Sequence, residues 1–315
     1  MELYRDDESC TWHFQKEDAD AEAMKNSHFS YFEALPKYLN SFEPVFAKAK
    51  KECEFGFICS LLRIKSEFTA ENCDPFQTTS DSIAEILNLI KANPYSLATE
   101  HLWLWLYGHI VEASAPYELL YNLISVASDG SHNIYNFGYN KNGQPLMLHN
   151  ILDKLRNHSN KNNFSDAMRP IDEVYNKDLR NAIFHSDYSI ADDGTFITRE
   201  PYKKYYHDEK LTFVNKALAY LESLRILRQM HISSYKFPKY IAVPKHWENQ
   251  NEQAVTIIRD GYGVVGLKNT WSRTQIKNGA VGWHVANVTE KESLLLRKNA
   301  HRKLFILPNR EVKQI

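Results

Sequence analysis

Residues 177–190 read K-D-L-R-N-A-I-F-H-S-D-Y-S-I, an apolar segment without Gly or Pro whose spacing predicts a helix. Leu179, Ile183 and Phe184 are expected to point into a core. Helix residues four apart stack on one face, so Asn181 lies over His185 while Arg180 and Phe184 form the adjacent ridge. A guanidinium, an amide and an imidazole therefore line one edge of this element.

Past Ser186 the period changes to alternation. Residues 187–199 predict a hairpin, with strands at 188–190 and 195–198 and the turn Asp192-Asp193-Gly194 between them. Asp187 either orients the imidazole or caps this hairpin. Residues 201–207, P-Y-K-K-Y-Y-H, interleave basic and aromatic side chains. Lys203, Lys204 and Tyr205 are candidates for holding phosphates and stacking bases, or they form a solvated hairpin edge with tyrosines lying on the helices. Asp208 is expected to cap a helix over 211–231, whose Phe213, Ala217, Tyr220, Leu224 and Leu227 share a face.

Upstream, the segment that carries Arg180, Asn181 and His185 is expected to run from 171 to 185, 147–157 reads as a short helix, 159–165 as a polar loop and 131–145 as a long loop with a turn at Asn142-Gly143. Residues 97–127 are the most apolar of the chain and predict one buried central helix, kinked or interrupted near Pro116. On it, Glu112, with His101 and His109, either adds polar groups beside the Arg180 edge or belongs to a core aromatic stripe with satisfied polar neighbours. Ser80 or Asp81 is expected to start a helix that runs through Lys91 and is broken by Asn93-Pro94. Residues 20–40 and 41–68 predict two helices, the second capped by Ser41 with Pro44 in its first turn. Residues 1–20 form an acidic arm with Trp12 and Phe14 as docking points.

The predominance of helical periods makes this a mainly α chain: a helical bundle with an N-terminal arm and a small β-hairpin over 1–235. The stretch 233–253 has two prolines and no period, and the remainder is read as a short basic β-rich domain over 236–315. Its strands are expected at 254–259, 262–267, 281–288 and 304–307, with turns at Asp260-Gly261 and Asn278-Gly279. Gly261, Gly263 and Gly266 match a dinucleotide-binding fingerprint by letters only, since the residues after them continue as strand and open no helix. From residue 236 onward there are 14 Lys/Arg against 6 Asp/Glu, a net +8, which leaves −9 for residues 1–235 of a chain with formal charge −1. With Trp247, Trp271 and Trp283, this basic segment either steers RNA toward the bundle or docks on acidic protein surface.

The wording Leu179-Arg180-Asn181-Ala182-Ile183-Phe184-His185, set among helices, resembles the R-x4-6-H signature of the HEPN superfamily, whose members include RNases of toxin–antitoxin, abortive-infection and antiviral systems. The resemblance implies an all-helical bundle, dimerisation that brings two motifs to one groove, and metal-independent RNA cleavage; other members are inactive scaffolds. It implies His185 as general acid or base, Arg180 as the phosphate stabiliser and Asn181 as the orienting group. An antitoxin or regulatory partner is also implied, and no cofactor. Tyr188 stands three residues after His185, one further than the tyrosine that a partner nucleotidyltransferase modifies in one class of these toxins. The chemistry asks for such residues: His can move protons near neutral pH, and Arg presents a permanently charged planar fork to phosphate oxygens. The same residue types also build structural Arg–His pairs at helix ends.

Composition narrows the classes further. With 315 residues and 43% hydrophobic content, the chain is long enough to bury a full core. The longest apolar run, 102–107, is too short to span a bilayer, and no leader pattern stands at the N-terminus, so a cytoplasmic protein is expected. Four cysteines fall in no C-x-x-C pair and thirteen histidines form no H-x-x-x-H, which argues against a zinc enzyme.

Overall fold

The computed structural model describes residues 2–15, 29–63, 74–94, 96–130, 137, 140–144, 146–243, 253–269, 284–286, 288–299 and 305–308. The chain is mainly helical, with small sheets. It divides into two compact units, Met1–Pro44, Pro75–Tyr117 and Met147–Arg225 in the first, and Val45–Asp74, Glu118–Leu146 and Ile226–Ile315 in the second. The basic C-terminal residues thus group with 45–74 and 118–146.

The acidic arm is ordered as a hairpin, β1 (Glu2–Asp6) against β2 (Thr11–Gln15), with Glu2 opposite Gln15 and Asp6 opposite Thr11. Trp12 is a docking point on the helices: its backbone N–H donates to Asn40 Oδ1 at 2.7 Å and its indole to Glu43 Oε2 at 3.4 Å. Phe14 meets Phe32 edge-on, with ring centroids 5.5 Å apart.

The two helices expected over 20–68 are divided elsewhere. Helix α1 (Phe29–Glu52) runs unbroken through Pro36 and Pro44, and Ser41, the expected cap, bonds back to the Lys37 carbonyl at 3.0 Å. Its buried stripe of Leu35, Tyr38, Leu39, Phe42, Val45, Phe46 and Ala49 continues across both prolines, so burial outweighs the hydrogen bonds they remove. The break falls at Cys53, whose extended backbone and thiol cap α2 (Glu54–Leu62) by accepting from Gly56 N at 3.4 Å.

Helix α3 (Pro75–Ala92) begins earlier than Ser80, because Pro75 suits a first helical turn and the Ser80 hydroxyl bonds back to Phe76 O. It ends at Asn93-Pro94 as the sequence indicates. The single central helix becomes two, α4 (Leu97–Glu112) and α5 (Ser114–Asp129), interrupted at an extended Ala113 so that Pro116 sits in the first turn of α5. Helix α6 (Leu148–Lys161) is longer than expected and is followed by a 3-10 turn (Ser165–Met168), α7 (Arg169–Val174) and α8 (Lys177–His185), so the segment expected over 171–185 is broken at an extended Tyr175 and Asn176.

After α8 come three short antiparallel strands, β3 (Tyr188–Ile190), β4 (Phe196–Thr198) and β5 (Lys203–Tyr205), so the expected hairpin has a third strand. Ile190 pairs with Phe196, and Phe196 with Tyr205. Helix α9 (His207–Ser233) starts before Asp208.

In the second unit β6 (Tyr240–Ala242) and β10 (Phe305–Leu307) share one edge of β7 (Gln253–Arg259), β6 antiparallel and β10 parallel. The other edge pairs with β8 (Gly263–Asn269), which in turn pairs with β9 (His284–Ala286). Two elements lie outside the four expected strands: the additional strand β6, and the helix α10 (Glu290–Lys298), which opens with a capping box of Thr289 and Glu292. A core of Ile257, Val265, Val288, Leu296, Phe305 and Leu307 fills this part. Gly263 lies in strand at φ 117°, where a Cβ would stand 2.1 Å from Ile232 O, so a close backbone approach and not a nucleotide accounts for that glycine. Asn278-Gly279, Trp247, Trp271 and Trp283 lie outside the described residues.

Candidate functional site

Helix α8 is placed by α4. The hydroxyl of the fully buried Tyr107 donates to Val174 O and accepts from Asn176 N, both at 2.9 Å, which fixes the break between α7 and α8. Burial, ahead of neighbouring charges, pushes the Tyr107 phenol well up, so it remains a donor. Asn176 then caps α8, its side chain accepting from Leu179 N at 3.0 Å, and Ser186 closes the helix in a left-handed conformation. Leu179, Ala182 and Ile183 are buried as expected. Phe184 is not: its ring is half-exposed, because the narrow apolar arc of α8 is already filled by those three.

The selected residues come together on the other arc. Arg180 Nε binds the Glu112 carboxylate of α4, and Nη1 donates to Asn181 Oδ1 at 2.9 Å. The guanidinium also sits over the Phe184 ring, 5.1 Å from its centroid. Arg180 and Glu112 retain 25% and 30% side-chain exposure, so the pair is open to solvent rather than sealed in a core. His185, at the last turn, is exposed, and its ring has no hydrogen-bond, ionic or ring partner among the described residues.

The flanking candidates divide. Asp187 serves the backbone: its N–H donates to Ala182 O, its carbonyl accepts from Arg199 N, and its carboxylate lies 3.5 Å from Arg199 Nε, without reaching His185. Tyr188 is bonded through its hydroxyl to His101 Nδ1 on α4 at 2.9 Å, with the donor set by the histidine tautomer. Lys203 is neutralised by Asp178 of α8 at 2.5 Å, and that bond holds its ammonium above the ordinary value. Lys204 is exposed. Tyr205, offered either as a stacking platform or as a tyrosine lying on the helices, turns inward between Phe196 and Phe213 with ring centroids at 5.9 and 6.1 Å, and is a core residue.

Two features go beyond the sequence reading. The first is that Trp105 and Gly108 join the candidates His101 and Glu112 on one face of α4, the four being spaced four, three and four apart. His101 reaches Tyr188, Gly108 meets Phe184 and Glu112 meets Arg180, while Trp105 stays 64% exposed. The spacing was visible, but the apolar richness of the segment hides it. The second is a buried charge pair: Lys210 of α9, with no exposed surface, binds Glu100 of α4 and donates to Gly194 O at 3.2 Å, and His207 Nδ1 lies 3.7 Å from the same carboxylate. It ties the β3–β4 turn to α4 and α9. No local motif marks it, since its partners are over ninety residues apart in sequence.

The first unit also holds an apolar pocket of about 430 Å³ lined by Tyr31, Phe32, Ile83, Leu87, Leu218 and Leu221, with Asn215 and the bonded Glu222–Arg225 pair. Burial, then Glu222, pushes the Tyr31 phenol up to about 12. None of the Arg180-site residues lines it. Among the described residues no group of three His, Cys, Asp or Glu side chains is placed to hold a metal ion, and no helix is long and apolar enough to cross a membrane. Comparison with protein-family models, with curated proteins and with solved structures finds no match.

Proposed function

We propose that this chain is a metal-independent endoribonuclease of HEPN type. The observation that carries the proposal is the pairing, on one short helix, of an oriented guanidinium with an unengaged imidazole: Arg180 is held by Glu112 and Asn181, and exposed His185 has no partner among the described residues. In this scheme His185 takes the proton of a ribose 2′-hydroxyl, whose oxygen attacks the adjacent phosphorus. Arg180 faces the charge that builds on the non-bridging oxygens. The P–O5′ bond breaks, the leaving oxygen takes a proton, and the products carry a 2′,3′-cyclic phosphate and a 5′-hydroxyl. The proton for the leaving oxygen comes from the motif of a second copy, in keeping with the dimer that the resemblance implies. The setting that fits is a cytoplasmic toxin or phage-defence effector, with an antitoxin or regulator as partner.

One observation favours a second reading. Arg180 and Lys203 are both neutralised by carboxylates, Glu112 and Asp178, which suits a catalytically inactive HEPN-like scaffold or ligand-sensing adaptor that acts through dimerisation.

The test is cleavage of labelled tRNA and of unstructured RNA, with EDTA present, by wild type and His185→Ala. His185 is exposed, so its loss should leave stability within about 0.5 kcal/mol while lowering the rate about 100- to 10,000-fold. A folded, dimeric wild type that is inert on every RNA would move the assignment to the scaffold.

A further inference from the structure

We infer that the cleft between α1, α3 and α9 is a binding site for an uncharged, apolar small molecule that ends in a carboxamide-like group, a site that stands with either reading of the Arg180 helix. Helical spacing builds two of its walls: Ile83 and Leu87 on α3, and Asn215, Leu218, Glu222 and Arg225 on α9, recur at three and four and so line one side of each helix. Tyr31 and Phe32 form the third wall from α1. Phe32 is braced on two flanks, edge-on to Phe14 of the β1–β2 hairpin at 5.5 Å and to Tyr31 at 5.3 Å between ring centroids. The space of about 430 Å³ falls within the roughly 300–1,000 Å³ of small-molecule sites, and every residue around it belongs to the first unit.

The polar groups with capacity to spare select the head of the ligand. Asn215 donates to Ser30 Oγ at 3.3 Å and the Ser80 hydroxyl to Phe76 O at 3.0 Å, so both are engaged. The Tyr31 hydroxyl has no hydrogen-bond partner among the described residues, although Glu222 and Arg225 both act on it electrostatically. Arg225 spends Nε and Nη2 on the Glu222 carboxylate at 2.6 and 2.5 Å, which leaves its Nη1 without a partner among those residues. That pair is mutually neutralised, so an anionic head would meet Glu222 and a cationic one Arg225, each losing its water to a counter-charge already taken. A carboxamide meets no such penalty: its carbonyl oxygen can accept from the Tyr31 hydroxyl and Arg225 Nη1, and its N–H can donate to a remaining lone pair of Glu222. The rest of the molecule exchanges water for Ile83, Leu87, Leu218 and Leu221.

The probes are octanamide, octanoate and octyltrimethylammonium, alike in chain and different in head charge, titrated calorimetrically into the full chain. Octanamide should bind at a single site with a negative heat-capacity change, and the two ions about tenfold more weakly or worse. Tyr31→Phe removes only the hydroxyl and should weaken octanamide about 2- to 12-fold, the worth of one hydrogen bond. Ala84→Trp, at an exposed position on the cleft wall, fills the space and should abolish binding while circular dichroism stays that of wild type. A folded wild type that takes up no octanamide overturns the site, and an ion that binds as well as octanamide overturns the uncharged ligand. Octanamide affinity equal to wild type in Ala84→Trp or in Tyr31→Phe places the probe elsewhere and overturns the inference as well. If Ala84→Trp changes the oligomeric state seen by sedimentation while wild type binds no probe, the cleft is a protein interface and the inference falls. RNA cleavage is not read, so none of these outcomes bears on the ribonuclease proposal.

Discussion

Gly108 on α4 lies so close to Phe184 on α8 that a Cβ at residue 108 would stand 3.2 Å from Cε2 and 3.3 Å from Cζ of the ring, and 3.4 Å from Cγ2 of Ile183. The missing side chain lets α4 and α8 approach at the point where Arg180 crosses to Glu112 and stacks on Phe184. Gly108→Ala removes a helix-interior glycine, a gain of up to about 1 kcal/mol, while pressing on a ring that is free to swing into solvent. Unfolding stability should therefore stay within about 1 kcal/mol of wild type. On the ribonuclease proposal, RNA affinity and cleavage should fall all the same, because the ring that supports the guanidinium has moved. Gly108→Leu has no such escape against Ile183 and should lose about 1–3 kcal/mol. Denaturant titration together with a cleavage assay separates the two effects; unchanged activity in Gly108→Ala would detach this contact from function.

On the ribonuclease proposal, Glu112 competes with the substrate phosphate for Arg180. Glu112→Gln keeps an acceptor oxygen for Nε but removes the charge, so stability should fall by roughly 1 kcal/mol or less for a pair this open to solvent. Binding of an uncleavable single strand should tighten, and the slope of log K against log salt should steepen by about 0.7 for each phosphate the freed guanidinium recruits. An unchanged slope would show that Arg180 does not meet phosphate.

What the sequence disclosed and what it hid follow from the range of the interactions involved. The helix at 177–185 was legible because its apolar spacing is local, whereas its start at the Asn176 cap was not, since the break from α7 depends on Tyr107 of α4. Strands β7 and β8 were legible for the same reason, as alternation and turn glycines. The continuity of α1 through Pro36 and Pro44 was not, since local propensity opposes it and only the buried stripe of Leu35 to Ala49 sustains it. The parallel pairing of β10 with β7 joins residues about fifty apart and leaves no local mark. Within the site, Arg180, Asn181 and His185 share one helix and were found together; Glu112 was a weaker candidate, because its value depends on which way α4 turns. Whether Tyr205 would face outward or lie on the helices stayed open in the sequence for a related reason: a three-residue strand gives too little alternation to fix its faces, and burial falls on the tyrosine.

The buried Lys210–Glu100 pair should matter more to folding than any group at the motif. Lys210→Met strands the Glu100 carboxylate, which is only 20% exposed, and should cost about 2–3 kcal/mol, somewhat less than a fully sealed pair. Adding Glu100→Gln removes the unpaired charge and should restore at least about 1 kcal/mol, so the two substitutions are non-additive in a double-mutant cycle. Additive losses in urea unfolding would mean that the two groups do not sense each other.

Glu173 on α7 supplies a pH signature whose sign is fixed by its surroundings. Burial works to raise its pKa, but Lys37 at 2.5 Å, the Tyr38 hydroxyl at 3.1 Å and Lys216 at 3.8 Å outweigh it and hold the carboxyl below its ordinary 4.5. A folded-state pKa below the unfolded one means that the contribution is fully present above the ordinary value and is lost as pH falls through the depressed one. Burial, then the Glu173 charge, pushes the Tyr38 phenol well up, so that donor stays protonated throughout. Glu173→Gln should therefore be less stable than wild type by roughly 0.5–1 kcal/mol near neutral pH, a partly exposed network being worth no more. The gap should close in acid, where the wild-type carboxyl is also neutral. Thermal unfolding of both proteins across the acid limb reads it directly. A gap that persists at the acid end would assign the contribution to hydrogen-bond geometry with Tyr38, and a gap that widens there would reverse the sign of the linkage.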